Sequence, residues 1–175
     1  MDPKKTGKVS KEPDGYRVQF ERHYAFDTMT VWDAITNPDK MAVWFMKVEM
    51  ELKPGARMVI YYNDEHNTHS YGRVTAVEPG KLFEYIWENE DGPDELTRWE
   101  LFPEGPSACK LVFTHSRIDD AYAWRVPSGW HIMLDHLQEI LNGRQQPFLA
   151  DTNSPEELTI KDFYKKLINK TFKTV

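Results

Sequence analysis

The hydrophobic pattern of this chain changes its period once, and that change most constrains the fold. Across most of the stretch from Tyr16 to Ser116, short segments alternate apolar and polar residues, which is typical of half-buried β-strands. From Gly129 to Asn142 the apolar residues recur at helical spacing instead. Because the predicted strands are joined by short connections, we expect an antiparallel meander whose apolar face is covered by this one long helix.

Two short helices are predicted after the first strand, Tyr16–Phe26. Asp27 is placed to cap the first helix, and Asn37 followed by Pro38 is a typical start for the second. Six further strands are predicted over residues 47–52, 57–62, 70–78, 82–88, 96–102 and 108–116, separated by turns rich in proline and glycine. The predicted fold class is therefore α+β, with a curved antiparallel sheet around a long helix.

The two ends of the chain differ from the predicted domain, which spans residues 15–143. Residues 1–14 carry four lysines and two prolines but few apolar side chains, so we expect a disordered tail. Residues 144–175 are predicted to form a linker and an amphipathic C-terminal helix, which starts with a capping box at Ser154. Because an isolated helix of this length is marginal in water, its apolar face should dock on its own domain or form a homodimer.

Composition argues against several classes of partner. The formal net charge is −6, and nucleic-acid binding depends on neutralising phosphates, so we expect no nucleic-acid partner. The sequence contains no run of about 18 apolar residues, which a membrane span would need, and we expect no membrane binding. The single cysteine, Cys109, lies in an apolar strand and is interpreted as a buried thiol. The N-terminal residues lack a secretory signal pattern, which favours a cytoplasmic protein.

The sequence contains no recognisable catalytic or cofactor motif. It has no phosphate-binding loop, no dinucleotide glycine fingerprint, no serine–histidine–aspartate arrangement and no zinc-ligand spacing. His66 and His69 lie in a polar loop, and we interpret that loop as solvated rather than metal-binding. We therefore predict no catalytic residues, no cofactor and no metal.

Aromatic residues dominate the inner face of the predicted sheet. Tryptophan and tyrosine combine bulk with a polar group, so they suit the lining of a pocket for a small hydrophobic ligand. They also fill solid cores, and the pattern alone favours neither alternative. The candidate pocket residues are Trp44, Tyr62, Tyr71, Phe83, Tyr85, Trp87, Trp99, Phe113, Trp130 and Met133.

Two polar residues fall in the inward phase of their strands. Arg22 would hold a ligand carboxylate or phenolate through paired hydrogen bonds, or else form a salt bridge at the cavity rim. His115 would orient a ligand carbonyl or act as a general base, or else be a core histidine bonded to backbone or tyrosine. Both residues belong to the predicted ligand-binding set.

Several short motifs, taken in order, resemble a known domain. It is shared by the C-terminal part of the heat-shock-protein-90 ATPase activator and many small bacterial relatives. The resemblance covers about residues 16–143 and places the chain in the START-like, or SRPBCC, superfamily, which includes the birch-pollen allergen. The motifs are Val31–Pro38, Trp44-Phe45, Pro54-Gly55, Gly72–Val74, Glu78-Pro79, Tyr85–Trp87, Phe113–His115 and Gly129–Leu137.

The resemblance implies a helix-grip fold with an internal, mostly apolar cavity. The superfamily includes lipid carriers, hormone receptors, cyclases and co-chaperone modules, so the fold does not select a function. We expect first a non-enzymatic domain that binds a small hydrophobic ligand. One alternative is a cyclase- or hydratase-like enzyme in the same cavity, in which His115 is the acid/base and Arg22 stabilises an enolate. The other is a chaperone-associated module of the stress response.

Overall fold

The order of the elements follows the pattern of the sequence. The computed structural model describes residues 2–62, 66, 68–89, 92–144 and 154–172. Within this part of the chain there are eight β-strands and four α-helices. The strands are β1 (Lys8–Glu12), β2 (Gly15–Tyr24), β3 (Lys47–Met50), β4 (Arg57–Tyr61), β5 (His69–Glu78), β6 (Leu82–Glu88), β7 (Glu95–Pro103) and β8 (Cys109–Ile118). The helices are α1 (Thr28–Thr36), α2 (Pro38–Trp44), α3 (Arg125–Leu141) and α4 (Pro155–Phe172).

All eight described strands form one sheet in the order β1-β2-β8-β7-β6-β5-β4-β3. Every neighbouring pair is antiparallel. Strands β3 to β8 form the predicted meander, and β2 joins it by pairing with β8. Helices α1 and α2 lead from β2 to the far edge of the sheet, and α3 packs against the inner face. The predicted α+β class and helix-grip arrangement are confirmed.

The starts of α1 and α2 lie where their capping residues predict. The Asp27 carboxylate accepts hydrogen bonds from the backbone N–H groups of Met29 and Thr30 at 2.9 and 3.0 Å. The Asn37 side chain accepts from the N–H of Asp39 at 3.1 Å, and Pro38 occupies the first helical turn. These bonds satisfy donors that a helix leaves without partners, which confirms both predicted boundaries.

Aromatic rings fill the middle of the space between the sheet and α3. The ring centroid of Phe113 lies 4.3 Å from that of Trp99 and 4.3 Å from that of Trp130. Trp44 meets Trp99 edge-on at 5.9 Å, and its indole N–H donates to the carbonyl of Ala34. The interior at this point is therefore filled by side chains of the protein itself.

The predicted disordered tail is wrong for most of residues 1–14. Strand β1 pairs with β2 from Lys8 opposite Gln19 to Glu12 opposite Gly15. A short 3₁₀ helix, Pro3–Lys5, precedes β1. The hydrophobic pattern misses β1 because an edge strand is stabilised mainly by backbone hydrogen bonds, while its lysines remain in solvent.

Helix α4 docks on its own domain. Its N-terminus is capped by the Ser154 hydroxyl, which accepts from the N–H of Glu157 at 3.2 Å. Its apolar face, with Ile160, Tyr164 and Ile168, is buried. This apolar face is the one from which the homodimer was predicted; the homodimer itself stays a prediction. The predicted linker lies largely outside the described residues, as does most of the polar loop over residues 63–69.

Helix α3 begins at Arg125, four residues before the glycine at which the helical spacing becomes visible. Its first turn contains Pro127, whose missing N–H costs nothing at that position. The longer helix reaches over the ends of β6, β7 and β8, where the packing against the sheet becomes looser.

Candidate ligand-binding site

A pocket with a volume of about 420 Å³ lies between the first half of α3 and the ends of β6, β7 and β8. The end of α2 closes one side through Phe45 and Met46. Aromatic and aliphatic side chains form most of the wall, and four polar or charged ones lie among them. The wall residues are Phe45, Met46, Tyr62, Trp87, Asn89, Glu95, His115, Tyr122, Arg125, Val126, Gly129, Trp130 and Met133.

Five of the predicted ligand-binding residues line this pocket. They share a position near the junction of β6 to β8 with α3, where strand ends and the first turns of the helix diverge. The five are Tyr62, Trp87, His115, Trp130 and Met133.

Five others lie outside the pocket wall, in the packed core. Each is at most 1% exposed, and none is among the residues that line the pocket. The physical reason is that inward-facing rings from neighbouring strands meet one another before they leave space for a cavity. These residues are Trp44, Phe83, Tyr85, Trp99 and Phe113. The predicted pocket wall is corrected here: it lies at the end of the sheet, not at its centre.

Tyr71 lies on the outer face of the sheet, which corrects its assignment to the pocket. The guanidinium of Arg57 lies over its ring at 4.1 Å, and its hydroxyl is 2.8 Å from His69 Nε2. In β5 the residues that point inward are Gly72 and Val74, so Tyr71 has the opposite phase. An aromatic residue in a strand does not by itself indicate the inner face.

His115 is held by hydrogen bonds at both ring nitrogens. The indole N–H of Trp130 donates to His115 Nδ1 at 2.7 Å, and His115 Nε2 lies 2.6 Å from Glu95 Oε2. Because an indole nitrogen only donates, Nδ1 carries no hydrogen, and Nε2–H donates to the carboxylate. This arrangement fixes the neutral tautomer and leaves neither nitrogen available to a ligand.

Glu95 is the charged group that sequence reasoning missed. It pairs with Trp87 across β6 and β7, and its side chain is only 13% exposed. Among the described residues, no lysine or arginine forms an ion pair with it. The predicted strand began at Leu96, one residue too late. A signal existed, since Glu95 shares the inward phase of Thr97 and Trp99.

Trp87 and Tyr62 complete the wall around Glu95. The Trp87 indole donates to Thr97 Oγ1 at 2.9 Å, which holds its ring nearly parallel to His115, with the ring planes 15° apart. The Tyr62 hydroxyl lies 2.8 Å from Ser70 Oγ. Burial raises the pKa of Tyr62, and the negative charge of Glu95 raises it further.

Arg22 is buried as its phase predicts, but it lies outside the pocket. Its guanidinium is 3.5 Å from the carboxylate of Asp135 on α3 and packs over the ring of Phe20. Its Nη1 donates to the carbonyl of Glu21 at 3.2 Å. The ligand-holding role is therefore corrected, and the salt bridge that was the alternative is present, with Asp135 as partner.

Metal and membrane features were searched within the described residues. No group of three or more histidine, cysteine, aspartate or glutamate side chains there is arranged to hold a metal ion. No helix there combines the length and the apolar character needed to cross a membrane. Cys109 is a buried free thiol, and burial raises its pKa to about 11.

The sheet gripping α3 defines a START-like, or SRPBCC, domain. Residues 25–142 match the family model described as Activator of Hsp90 ATPase homolog 1-like protein. Because this match covers more than half of the chain, the protein belongs to that family. No curated protein matches the chain.

Solved structures with this fold include proteins from several bacteria. CalU16 from Micromonospora echinospora is 22% identical, with a TM-score of 0.73 and coverage of 93% of this chain and 92% of CalU16. EF2215 from Enterococcus faecalis, a conserved protein of unknown function, is 18% identical, with a TM-score of 0.76 and coverage of 94% and 91%. DynU16, described from the dynemicin biosynthetic locus, is 21% identical, with a TM-score of 0.65 and coverage of 75% and 49%. At these identities the likeness shows the fold alone.

Proposed function

We propose that this protein binds a small hydrophobic molecule with a flat or aromatic part in the pocket at the start of α3. The observation that carries the proposal is the aromatic wall of the pocket, in which Phe45, Trp87 and Trp130 stand around a space of about 420 Å³. That volume lies in the range of small-molecule sites, and such sites combine apolar walls with a few polar groups.

The aromatic side chains of the pocket wall are held in place by contacts within the protein. Phe45 stacks on Trp130 with their ring planes 12° apart, and the Trp130 and Trp87 indoles each donate a hydrogen bond to a neighbouring side chain. Rings held in this way lose little freedom on binding, so contact with a flat ligand is not offset by a large loss of entropy. This supports a binding role.

The enzymatic alternative has weaker support. A general base needs a nitrogen within hydrogen-bond reach of its substrate, and both nitrogens of His115 already have partners. Arg22, the other residue of that hypothesis, is bound to Asp135 outside the pocket. A chaperone-associated role in the stress response stays a prediction, supported by the family to which the chain belongs.

We also place the proposed function in the cytoplasm. The chain has one cysteine, and this residue is buried without a disulfide partner, as expected of a protein that does not depend on an oxidising compartment.

Gly129 offers a direct test because it lines the pocket. A Cβ atom added at Gly129 would meet only Met133 Cε, at 3.6 Å, so a larger side chain would extend into the pocket without disturbing the core. Gly129→Leu should abolish binding, whereas Gly129→Ala should retain most of it. Both replace a helical glycine and should increase helix stability, by roughly 0.5 to 1 kcal/mol for alanine.

The probe is 2-naphthylmethanol, a neutral flat molecule, followed by the shifts of tryptophan indole N–H signals in NMR spectra. We expect the signals of Trp87 and Trp130 to move and that of Trp32, on α1, to stay constant. Binding by Gly129→Leu that equals that of Gly129→Ala would refute the assignment of this pocket. The same holds if no indole signal moves in the unmodified protein.

A further inference from the structure

The unbalanced charge of Glu95 indicates what kind of ligand the pocket favours. A carboxylate that is largely removed from water needs an opposite charge or several hydrogen-bond donors, because its desolvation is costly. Among the described residues, Glu95 accepts a hydrogen bond from His115 Nε2–H at 2.6 Å. His115 is neutral in this arrangement, so the bond does not cancel the charge. Within the described part of the chain, the negative charge of Glu95 therefore has no arginine or lysine to balance it.

Arg125 lies in the pocket wall, but it forms no ion pair with Glu95. It is exposed at the rim, and its guanidinium lies 5.5 Å from the centre of the Trp124 ring. In the described part of the chain Glu95 has no arginine or lysine as ion-pair partner. Two other polar residues of the pocket wall, Tyr62 and Asn89, carry no charge. The described residues thus supply no ion-pair partner of opposite charge from arginine or lysine, and a bound ligand can supply the positive charge.

The walls around the carboxylate also favour a cation. Trp87 lies across the strand pair from Glu95, its ring meets that of Phe45 edge-on at 6.4 Å, and Trp130 also lines the pocket. The face of an aromatic ring carries partial negative charge and attracts ammonium groups, most strongly when the ring is tryptophan. The charge of Glu95 reaches this space, since it contributes to the raised pKa of Tyr62. Carboxylate and rings together form a negative recess with flat apolar sides.

We propose that the ligand is a flat aromatic or conjugated molecule that carries a protonated amine, and that this amine binds the Glu95 carboxylate. The inference rests on the proposed function, because it names the class of molecule that the same pocket takes. The ring system contacts the aromatic part of the pocket wall, which includes Trp87 and Trp130, and the ammonium N–H groups donate to Glu95. His115 acts as a positioning residue that holds the carboxylate in place.

A pair of probes separates this inference from the proposed function. We compare 2-naphthylmethylamine, which is protonated at pH 7, with neutral 2-naphthylmethanol, which has the same ring and nearly the same size. Affinities are measured by NMR titration at 0.15 M salt, where long-range attraction to the acidic protein is largely screened. A charge-assisted hydrogen bond predicts about tenfold or greater preference for the amine.

Two glutamate variants assign the preference. Glu95→Gln keeps an oxygen that accepts from His115 but removes the charge, so the preference for the amine should vanish while binding of the alcohol stays the same. Glu100→Gln is the matched control, because Glu100 lies on the same strand but pairs with Arg98 on the outer side. It should keep the full preference. Arg125→Gln should keep or increase the preference.

The outcomes separate cleanly. Equal binding of both probes to the unmodified protein would overturn the inference and leave the proposed function intact. Failure of both probes to bind would count against the proposed function itself. A preference that persists in Glu95→Gln, or disappears in Glu100→Gln or Arg125→Gln, would also overturn the assignment of Glu95.

Discussion

Two histidines on either side of the core have similar partners and different surroundings. His115 lies between the Glu95 carboxylate and the Trp130 indole, at 2.6 and 2.7 Å. His131 lies between Asp135 and the Tyr164 hydroxyl, with its Nε2 3.6 Å from Asp135 Oδ2 and its Nδ1 3.0 Å from the Tyr164 oxygen. We refer to these as the His115 cluster and the His131 cluster.

The clusters differ in charge balance. In the His131 cluster the Asp135 carboxylate, which is 27% exposed, is 3.5 Å from Arg22 and 3.5 Å from Lys5. In the His115 cluster the carboxylate has no such cation among the described residues, and it faces the pocket. The comparison teaches that a histidine–carboxylate pair acts structurally when neighbouring cations balance its charge. It can serve binding when the carboxylate faces a pocket without such a cation.

The His131 cluster also joins three parts of the chain. The Tyr164 hydroxyl accepts from the backbone N–H of Gly7 at 2.7 Å while it contacts His131 on α3. The N-terminal segment, α3 and α4 therefore meet at one buried oxygen. The acidic side of this cluster lines a second cavity of about 340 Å³, which includes Lys5 and Asp135.

Neutralising each carboxylate is the strongest way to test the comparison. Asp135→Asn leaves the Arg22 guanidinium buried without its main counter-charge. Breaking a fully buried pair costs ~3–5 kcal/mol, and partial exposure of Asp135 reduces this to about 2 kcal/mol. Glu95→Gln should change the free energy of unfolding by less than about 1 kcal/mol, because no buried cation is left alone. Urea unfolding at pH 7 measures both, and equal losses would contradict the assigned difference.

Removing one tyrosine hydroxyl from each side gives a smaller effect. Tyr164→Phe leaves the buried Gly7 N–H without an acceptor, which should destabilise the protein by about 1.5 kcal/mol and speed hydrogen exchange at Gly7. The matched change, Tyr62→Phe, removes a hydroxyl from a residue that is 42% exposed. Its effect on stability should stay within about 0.5 kcal/mol. Unchanged exchange at Gly7 in Tyr164→Phe would show that the hydroxyl does not hold the N-terminal segment.

Protonation of His131 should give the most gradual effect. Burial lowers the pKa of His131 from 6.5 to about 4, while Asp135 partly opposes the shift. Between these values the unfolded chain binds more protons than the folded one, so stability should fall as pH decreases from about 6.5 to about 4 and then level off with respect to this group.

The control for this pH dependence is His131→Gln, which cannot take up the proton. Its unfolding free energy, measured in urea at several pH values from 7 to 4, should fall less steeply than that of the unmodified protein. All other titrating groups are shared, so the difference in slope isolates His131. Parallel curves would mean that the imidazole takes up its proton equally in the folded and unfolded states.

Local signals in the sequence predicted most of the fold. The alternating pattern located β2 to β8, since one face of each strand is buried, and the caps at Asp27, Asn37 and Ser154 marked three helix starts. Strand β1 was not predicted because it is held by backbone hydrogen bonds to β2. Such bonds do not require a particular type of side chain.

The candidate site was predicted only in part. Trp87 and His115 were found because they lie in the inward phase of their strands, and Trp130 because it opens the apolar stripe of the long helix. Glu95 was missed because the preceding turn hid its phase, and Tyr71 was assigned to the wrong face. An inward ring fills the core or borders a pocket depending on the distance between the strands and α3 at that point. No local sequence pattern contains this distance.

By itself, the sequence determined the order of elements, their caps and the inward phase of each strand, because these depend on residues close together in the chain. Only the tertiary structure decided that Arg22 and Glu95, two polar residues in the inward phase of their strands, have different kinds of partner. Arg22 forms a salt bridge with Asp135, whereas the Glu95 carboxylate accepts a hydrogen bond from a neutral histidine and lines the pocket. The reason is that charge balance is a property of neighbours in space, and those neighbours come from segments far apart in the chain.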